Sequence, residues 1–181
     1  MKTIKLLIFA FLITGIISCK DDQKLSDTYA EPAVSTYYFI RHAEKIRSNS
    51  EDIDPELSQK GLGRAMHWAE ILDDVELDAI YSTDFERTTM TAAPTSVKQE
   101  LTVQYYDPEN FNIEQFQIDN LGKNVLIVGH SNSTPDFVNR ILGEDRYTAM
   151  DDYDNGSLFI VQVTGKNVSS NRLHFNCNCP D

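Results

Sequence analysis

Val34-Ser35-Thr36-Tyr37-Tyr38-Phe39-Ile40 runs into Arg41-His42, and Asn124-Val125-Leu126-Ile127-Val128 runs into Gly129-His130. Both stretches are β-branched and aromatic with hardly a polar interruption. That is the pattern of strands buried on both faces of a parallel sheet. In such sheets ligands sit beyond the carboxyl ends of the strands, where each stretch places a histidine.

Working outward, Ser58 is a good N-cap, and Leu62, Ala65, Met66, Ala69 and Leu72 fall on one face of a predicted helix. A short strand is predicted from Asp78 to Ser82, and a helix from Phe85 to Ala93 that Pro94 stops. A third strand is predicted from Leu101 to Tyr105, then a helix from Ile113 to Leu121 with Ile113, Phe116 and Leu121 inward and Gly122 as its cap. Thr134-Pro135 opens a further helix with Phe137, Val138, Ile141 and Leu142 facing the core. Ser157 to Val163 and Val168 to Phe175 flank Gly165-Lys166-Asn167 and read as a hairpin at the sheet edge. Strands alternating with helices give an α/β fold with a mostly parallel central sheet flanked by helices.

The amino terminus reads as an address. Lys2 and Lys5 precede an apolar stretch from Leu6 to Ile17, the charged and hydrophobic regions of a signal peptide over residues 1–18. Ile16-Ile17-Ser18-Cys19 resembles a bacterial lipobox, which implies cleavage before Cys19 and a lipid on its thiol. Residues 19–33, opening with Lys20-Asp21-Asp22, read as a flexible tether, leaving 34–181 as the folded domain. The implied location is a bacterial membrane, the outer one by the acidic run after the cysteine, facing the periplasm or the cell surface. Of the remaining cysteines, Cys177 and Cys179 could close a small disulfide in an oxidising compartment.

With 181 residues, one domain is expected, and 41% hydrophobic residues suffice for one core. The formal charge of −12 repels polyanions, so sequence-independent nucleic-acid binding is not expected. An anionic substrate must therefore be gathered by a local cluster of cations. Arg41 beside His42, and Arg87 after the strand ending at Ser82, can supply the fork-shaped donors that phosphate takes best. His67 and His174 lie away from the predicted strand ends and read as structural or surface imidazoles.

Four blocks then carry a resemblance. Arg41-His42-Ala43-Glu44 is similar to the RHGE signature of the histidine phosphatase superfamily, with its phosphoglycerate mutase-like fold, although Ala43 stands where Gly is commonest. Leu57 to Ala65 resembles its LSxxGxxRA block, Tyr81 to Ala92 its SSxxxRxxxTA block, and Val128-Gly129-His130-Ser131-Asn132 its second histidine motif. The resemblance implies a metal-independent phosphomonoester hydrolase with no cofactor. Neutral His42 would attack phosphorus while Arg41, Arg87 and a cationic His130 hold the oxygens, and an acid would protonate the leaving alcohol.

Asp107, after the third strand, is the expected acid, with Glu109 and Glu114 as alternatives, while Glu44 and Glu86 are expected to partner the arginines. The substrate would be a phosphorylated small molecule or a phosphoprotein. A second reading keeps the fold and the pocket without turnover, as a lipoprotein that binds phospho-ligands.

Overall fold

The computed structural model describes residues 32–180; the expected signal peptide, Cys19 and most of the expected tether lie outside the described residues. A six-stranded sheet has the order β3-β2-β4-β1-β5-β6. Its strands are β1 (Val34–Arg41), β2 (Ala79–Ser82), β3 (Val103–Tyr105), β4 (Asn124–Gly129), β5 (Ser157–Thr164) and β6 (Asn167–His174). The first four are mutually parallel, and β5 and β6 form an antiparallel hairpin added to β1. Arg41 pairs in register with Gly129, which brings the two histidine-bearing strand ends side by side.

β1 shows why the sheet is central. Tyr37 and Phe39 enter one core with Phe116, Phe137, Val138 and Ile141, while Ile40 enters a second with Trp68, Leu72 and Ala92. Successive residues of a strand point to opposite faces, so a strand without polar interruption needs a cover on both sides. Helices α1 (Gln59–Ile71) and α2 (Glu86–Lys98) cover one face; α3 (Ile113–Asp119) and α4 (Ser133–Leu142) cover the other.

Ser58 caps α1 as expected, its hydroxyl accepting the Gly61 amide at 3.2 Å. The buried face differs: Arg64, Ala65, Trp68, Ala69 and Leu72 point inward, whereas Leu62 and Met66 are exposed. The inward face is offset from the apolar periodicity because Gly61 and Arg64 pack against Glu44, in the chain just after β1, rather than facing solvent. Leu121 also lies outward, because α3 ends at Asp119, two residues short of it. Pro94 does not stop α2, which continues to Lys98. The helix forgoes one amide bond there, and burial of Thr91, Ala92 and Thr95 holds the last turn. Gly122 adopts φ +74°, the left-handed conformation that favours glycine after a helix.

After β6 the chain folds back over α1. Phe175 meets Trp68 edge to face at 5.8 Å, and the bonded pair Cys177–Cys179 lies against Gly63. Among the described residues no helix is long and apolar enough to cross a membrane.

Trp68 is 1% exposed and joins α1, the sheet and the returning tail. Trp68→Ala should cost about 3–5 kcal/mol, the usual range for an aromatic truncated in a core. The check is a urea titration, with a lowered midpoint and an unchanged slope expected.

Candidate active site

Arg41, His42, Arg87 and His130 meet at the carboxyl edge of the sheet. Arg41 is the last residue of β1, and His42 follows it, its amide bonded to the Gly129 carbonyl at 2.9 Å. His130 follows β4, and its ring centre lies 5.5 Å from that of His42. Arg87 comes from the first turn of α2 and stacks over Phe85, 4.4 Å from the ring centre; Phe85 in turn meets His130 edge-on at 5.0 Å.

The tautomers follow from the partners. His42 Nδ1 lies 2.7 Å from the Ala43 carbonyl, which can only accept, so Nδ1 carries the proton and Nε2 keeps its lone pair. The Asn155 amide fixes this turn by donating to the His42 carbonyl at 2.8 Å, and the Ala43 amide donates to Thr91 Oγ1 at 2.9 Å. His130 Nε2 contacts Thr83 Oγ1 at 2.8 Å. The Thr88 hydroxyl lies 2.8 Å from the Thr83 carbonyl, to which it donates, so Thr83 gives its own proton to Thr88 at 3.1 Å and accepts from His130 Nε2–H.

Both imidazoles are neutral in the unliganded protein. Burial is the largest cause at each: with help from Arg41, His130 and Arg87 it brings His42 down to about 3, against the opposing bond to Ala43. Burial, then Arg87, Arg41 and Lys45, bring His130 down to about 4. A neutral His42 is what a nucleophile requires. His130 therefore does not carry the expected positive charge before a ligand arrives, chiefly because it is buried, with two guanidiniums and a lysine adding to the effect.

Each arginine retains an unused donor. Arg41, 2% exposed, gives Nη1 to the Asp151 carbonyl at 2.8 Å and Nη2 to Asp152 at 2.7 Å, and its buried Nε has no protein partner. Arg87 gives Nη1 to Asp54 at 3.1 Å, and its buried Nε is likewise unpartnered. Glu44 partners neither of them: it takes Nε and Nη2 of Arg64 at 2.8–2.9 Å. A Cβ on Gly61 would collide with the Glu44 carbonyl, so the LSxxGxxRA block exists to seat α1 against the chain just after His42. Glu86 does not hold Arg87 either; Asp54 does.

A cleft of about 730 Å³ opens from Arg87 and His130 past Phe85, Pro108 and Glu109 to Asp136 and Arg140. Asp107 is not on its wall. It is exposed, and its carboxylate turns into its own loop, accepting Asn110 Nδ2 at 2.7 Å and the Glu109 amide at 3.0 Å. Those bonds hold its carboxyl below the usual carboxylate range, the wrong direction for an acid that must carry a proton at neutral pH. Glu114 lines a different depression beside Asn112 and Gln117. Glu109 is the one of the three on the cleft with His130. His67 and His174 stay away from it, beside Glu70 and Asp154 respectively. Among the described residues no group of three or more His, Cys, Asp or Glu side chains could hold a metal ion.

Residues 37–108 match the histidine phosphatase superfamily, branch 1. That stretch carries Arg41, His42 and Arg87, and the second histidine lies beyond it. No curated protein sequence matches the chain. Among solved structures, the protein histidine phosphatase SixA complexed with tungstate is similar at TM-score 0.62 and 14% identity, over 77% of this chain and 96% of that one. A phosphoglycerate mutase from Bacillus anthracis is similar at TM-score 0.59 and 15% identity, covering 79% and 94%. A mycobacterial glucosyl-3-phosphoglycerate phosphatase is similar at TM-score 0.57 and 14% identity, covering 80% and 100%. The likeness to these structures shows a phosphoglycerate mutase-like fold over 77–80% of the chain.

The lowered histidines make stability depend on pH. An unfolded imidazole titrates near about 6.5, so below that value the unfolded chain binds protons that folded His42 and His130 refuse. Their contribution is complete above pH about 6.5 and is lost as pH falls toward about 4 and then about 3. Melting temperature should therefore fall between pH 7 and 4, and His42→Asn should make that fall shallower. Scanning calorimetry at matched ionic strength checks it.

Proposed function

We propose that the protein is a metal-independent phosphomonoesterase working through a phosphohistidine on His42. The observation that carries this is a neutral His42 with its proton on Nδ1, flanked by the Arg41 and Arg87 guanidiniums that help lower its proton affinity, each of which keeps a buried Nε–H without a protein partner. Buried donors without partners are rare, and a tetrahedral oxyanion satisfies donors of this kind. The neighbour complexed with tungstate, itself such an oxyanion, supports the same reading.

In the proposed reaction His42 Nε2 attacks phosphorus in line. Arg41 and Arg87 meet the charge on the equatorial oxygens, and His130 adds a donor, becoming cationic as the arriving dianion raises its proton affinity. The alcohol oxygen leaves and takes a proton from Glu109, which replaces Asp107 in this role because it faces the cleft. Water then attacks the phosphorus with the same carboxylate as base, breaking the P–N bond and releasing inorganic phosphate.

The cleft beyond Arg87 is open and bears Phe85, Glu109, Asp136 and Arg140, a wall suited to a polar leaving group. The substrate class is a phosphorylated small molecule or a phosphorylated protein side chain. Cys19 is proposed as a lipid attachment site holding the domain at a bacterial membrane by a short tether.

Phosphate release from a panel of alkyl, aryl and phosphoramidate substrates tests the activity, with His42→Ala expected to abolish it without a matching loss of stability. Comparable turnover in that variant would refute the covalent route. Glu109→Gln should slow alkyl esters about 10²- to 10⁴-fold more than aryl esters of acidic phenols, since a good leaving group needs no proton, while Asp107→Asn should leave the ratio unchanged. An inverted result restores Asp107.

For the anchor, wild-type protein should incorporate labelled palmitate in a bacterial host and Cys19→Ala should not. Equal labelling of the two would exclude the site.

A further inference from the structure

Both phosphate-facing guanidiniums are tied from behind by carboxylates that lie outside the four motif blocks. Asp54, in the loop between β1 and α1, accepts Arg87 Nη1 at 3.1 Å. It also accepts the Glu86 amide at 3.0 and 3.2 Å, which occupies an otherwise free donor at the start of α2. Asp152, in the loop before β5, accepts Arg41 Nη2 at 2.7 Å on one oxygen and Arg47 Nη1 at 2.6 Å on the other. The geometry points to Asp54 and Asp152 as positioning residues that fix the aim of Arg87 and Arg41.

Stability alone does not account for these pairs. The Asp54 and Asp152 side chains are 36% and 58% exposed, so solvent screens the carboxylate end of each pair, although Arg87 and Arg41 are themselves only 12% and 2% exposed. Their value lies in direction. An arginine side chain has four rotatable bonds, and two unliganded guanidiniums in one pocket repel each other, as the effect of Arg41 on Arg87 shows. A carboxylate behind each removes both difficulties. It neutralises part of the charge and holds one terminal nitrogen, Nη1 of Arg87 or Nη2 of Arg41, while the Nε–H of each arginine keeps no protein partner. Asp152 keeps its charge at all working pH values, because Arg47 and Arg41 hold its carboxyl down to about 2.

The inference rests on the reading of the pocket as a phosphate site, and its test is a binding measurement that needs no turnover. Inorganic phosphate is titrated calorimetrically into wild type, Asp54→Ala, Arg87→Gln and the double variant. Asp54→Ala should weaken phosphate by about tenfold, the lower end for losing the partner of a binding group. The double variant should bind no more weakly than Arg87→Gln alone, because Asp54 acts only through Arg87. Asp54→Asn keeps an acceptor for Arg87 and for the Glu86 amide and should recover most of the affinity. Asp152→Ala and Asp152→Asn should repeat the pattern for Arg41, whose own replacement is avoided because it is buried.

A helix cap alone would lower the melting temperature of Asp54→Ala without that coupling. The proposal is overturned if the Asp54 and Arg87 effects simply add, or if Asp54→Ala melts earlier while phosphate affinity stays at the wild-type value. Coupled phosphate binding with no hydrolysis of any ester would uphold the positioning role and refute the phosphatase reading alone.

Discussion

Two guanidiniums and two imidazoles share one desolvated edge of the sheet, inside a chain whose formal charge is −12. Everything around that edge manages the consequence. Burial keeps His42 and His130 neutral, Asp54 and Asp152 take part of the arginine charge, and the donors left over await an anion. The sheet makes the arrangement possible. Pairing Arg41 with Gly129 puts the ends of β1 and β4 in register, and α2 brings Arg87 to the same edge. On the proposed reading the acidic chain and the cationic pocket are complementary: the mean field repels phosphate, and the arginines would capture it locally.

Much of this was legible in the sequence. Uninterrupted apolar strands ending in Arg41-His42 and Gly129-His130 require a buried parallel pair, and a buried pair puts its end residues at the ligand-binding edge. The groups that aim the site were not legible. Asp54 and Asp152 sit in polar loops where one carboxylate looks like another, and only the folded chain brings them to Arg87 and Arg41. Thr83 and Asn155 escaped for the same reason: their roles depend on which carbonyl or ring nitrogen lies opposite. Helix faces misled where a residue served a neighbouring backbone. Gly61 turns inward to let Glu44 approach, and that rotates Leu62 and Met66 outward.

The acid shows how far strand-end logic reaches. Position after β3 drew attention to Asp107, yet its side chain closes its own turn with Asn110, and the residue two places on reaches the cleft. A loop of alternating directions cannot be read for facing from position alone, whereas a strand can. The same cleft has an aromatic near wall and Asp136 and Arg140 at its far end; on the proposed reading α4 and the loop after β3 would select the leaving group, while β1, β4 and α2 would hold the phosphate.

The central claim is a covalent phosphoryl group on His42, and the most direct measurement is to trap it. The enzyme is quenched in alkali within milliseconds of mixing with an excess of a fast aryl phosphate, and its peptides are then analysed by mass spectrometry. The account predicts one phosphoryl group, stable to base and labile to acid, on the peptide containing His42, and none in His42→Ala. Steady turnover with no phosphorylated peptide, or with the label on His130, would contradict it.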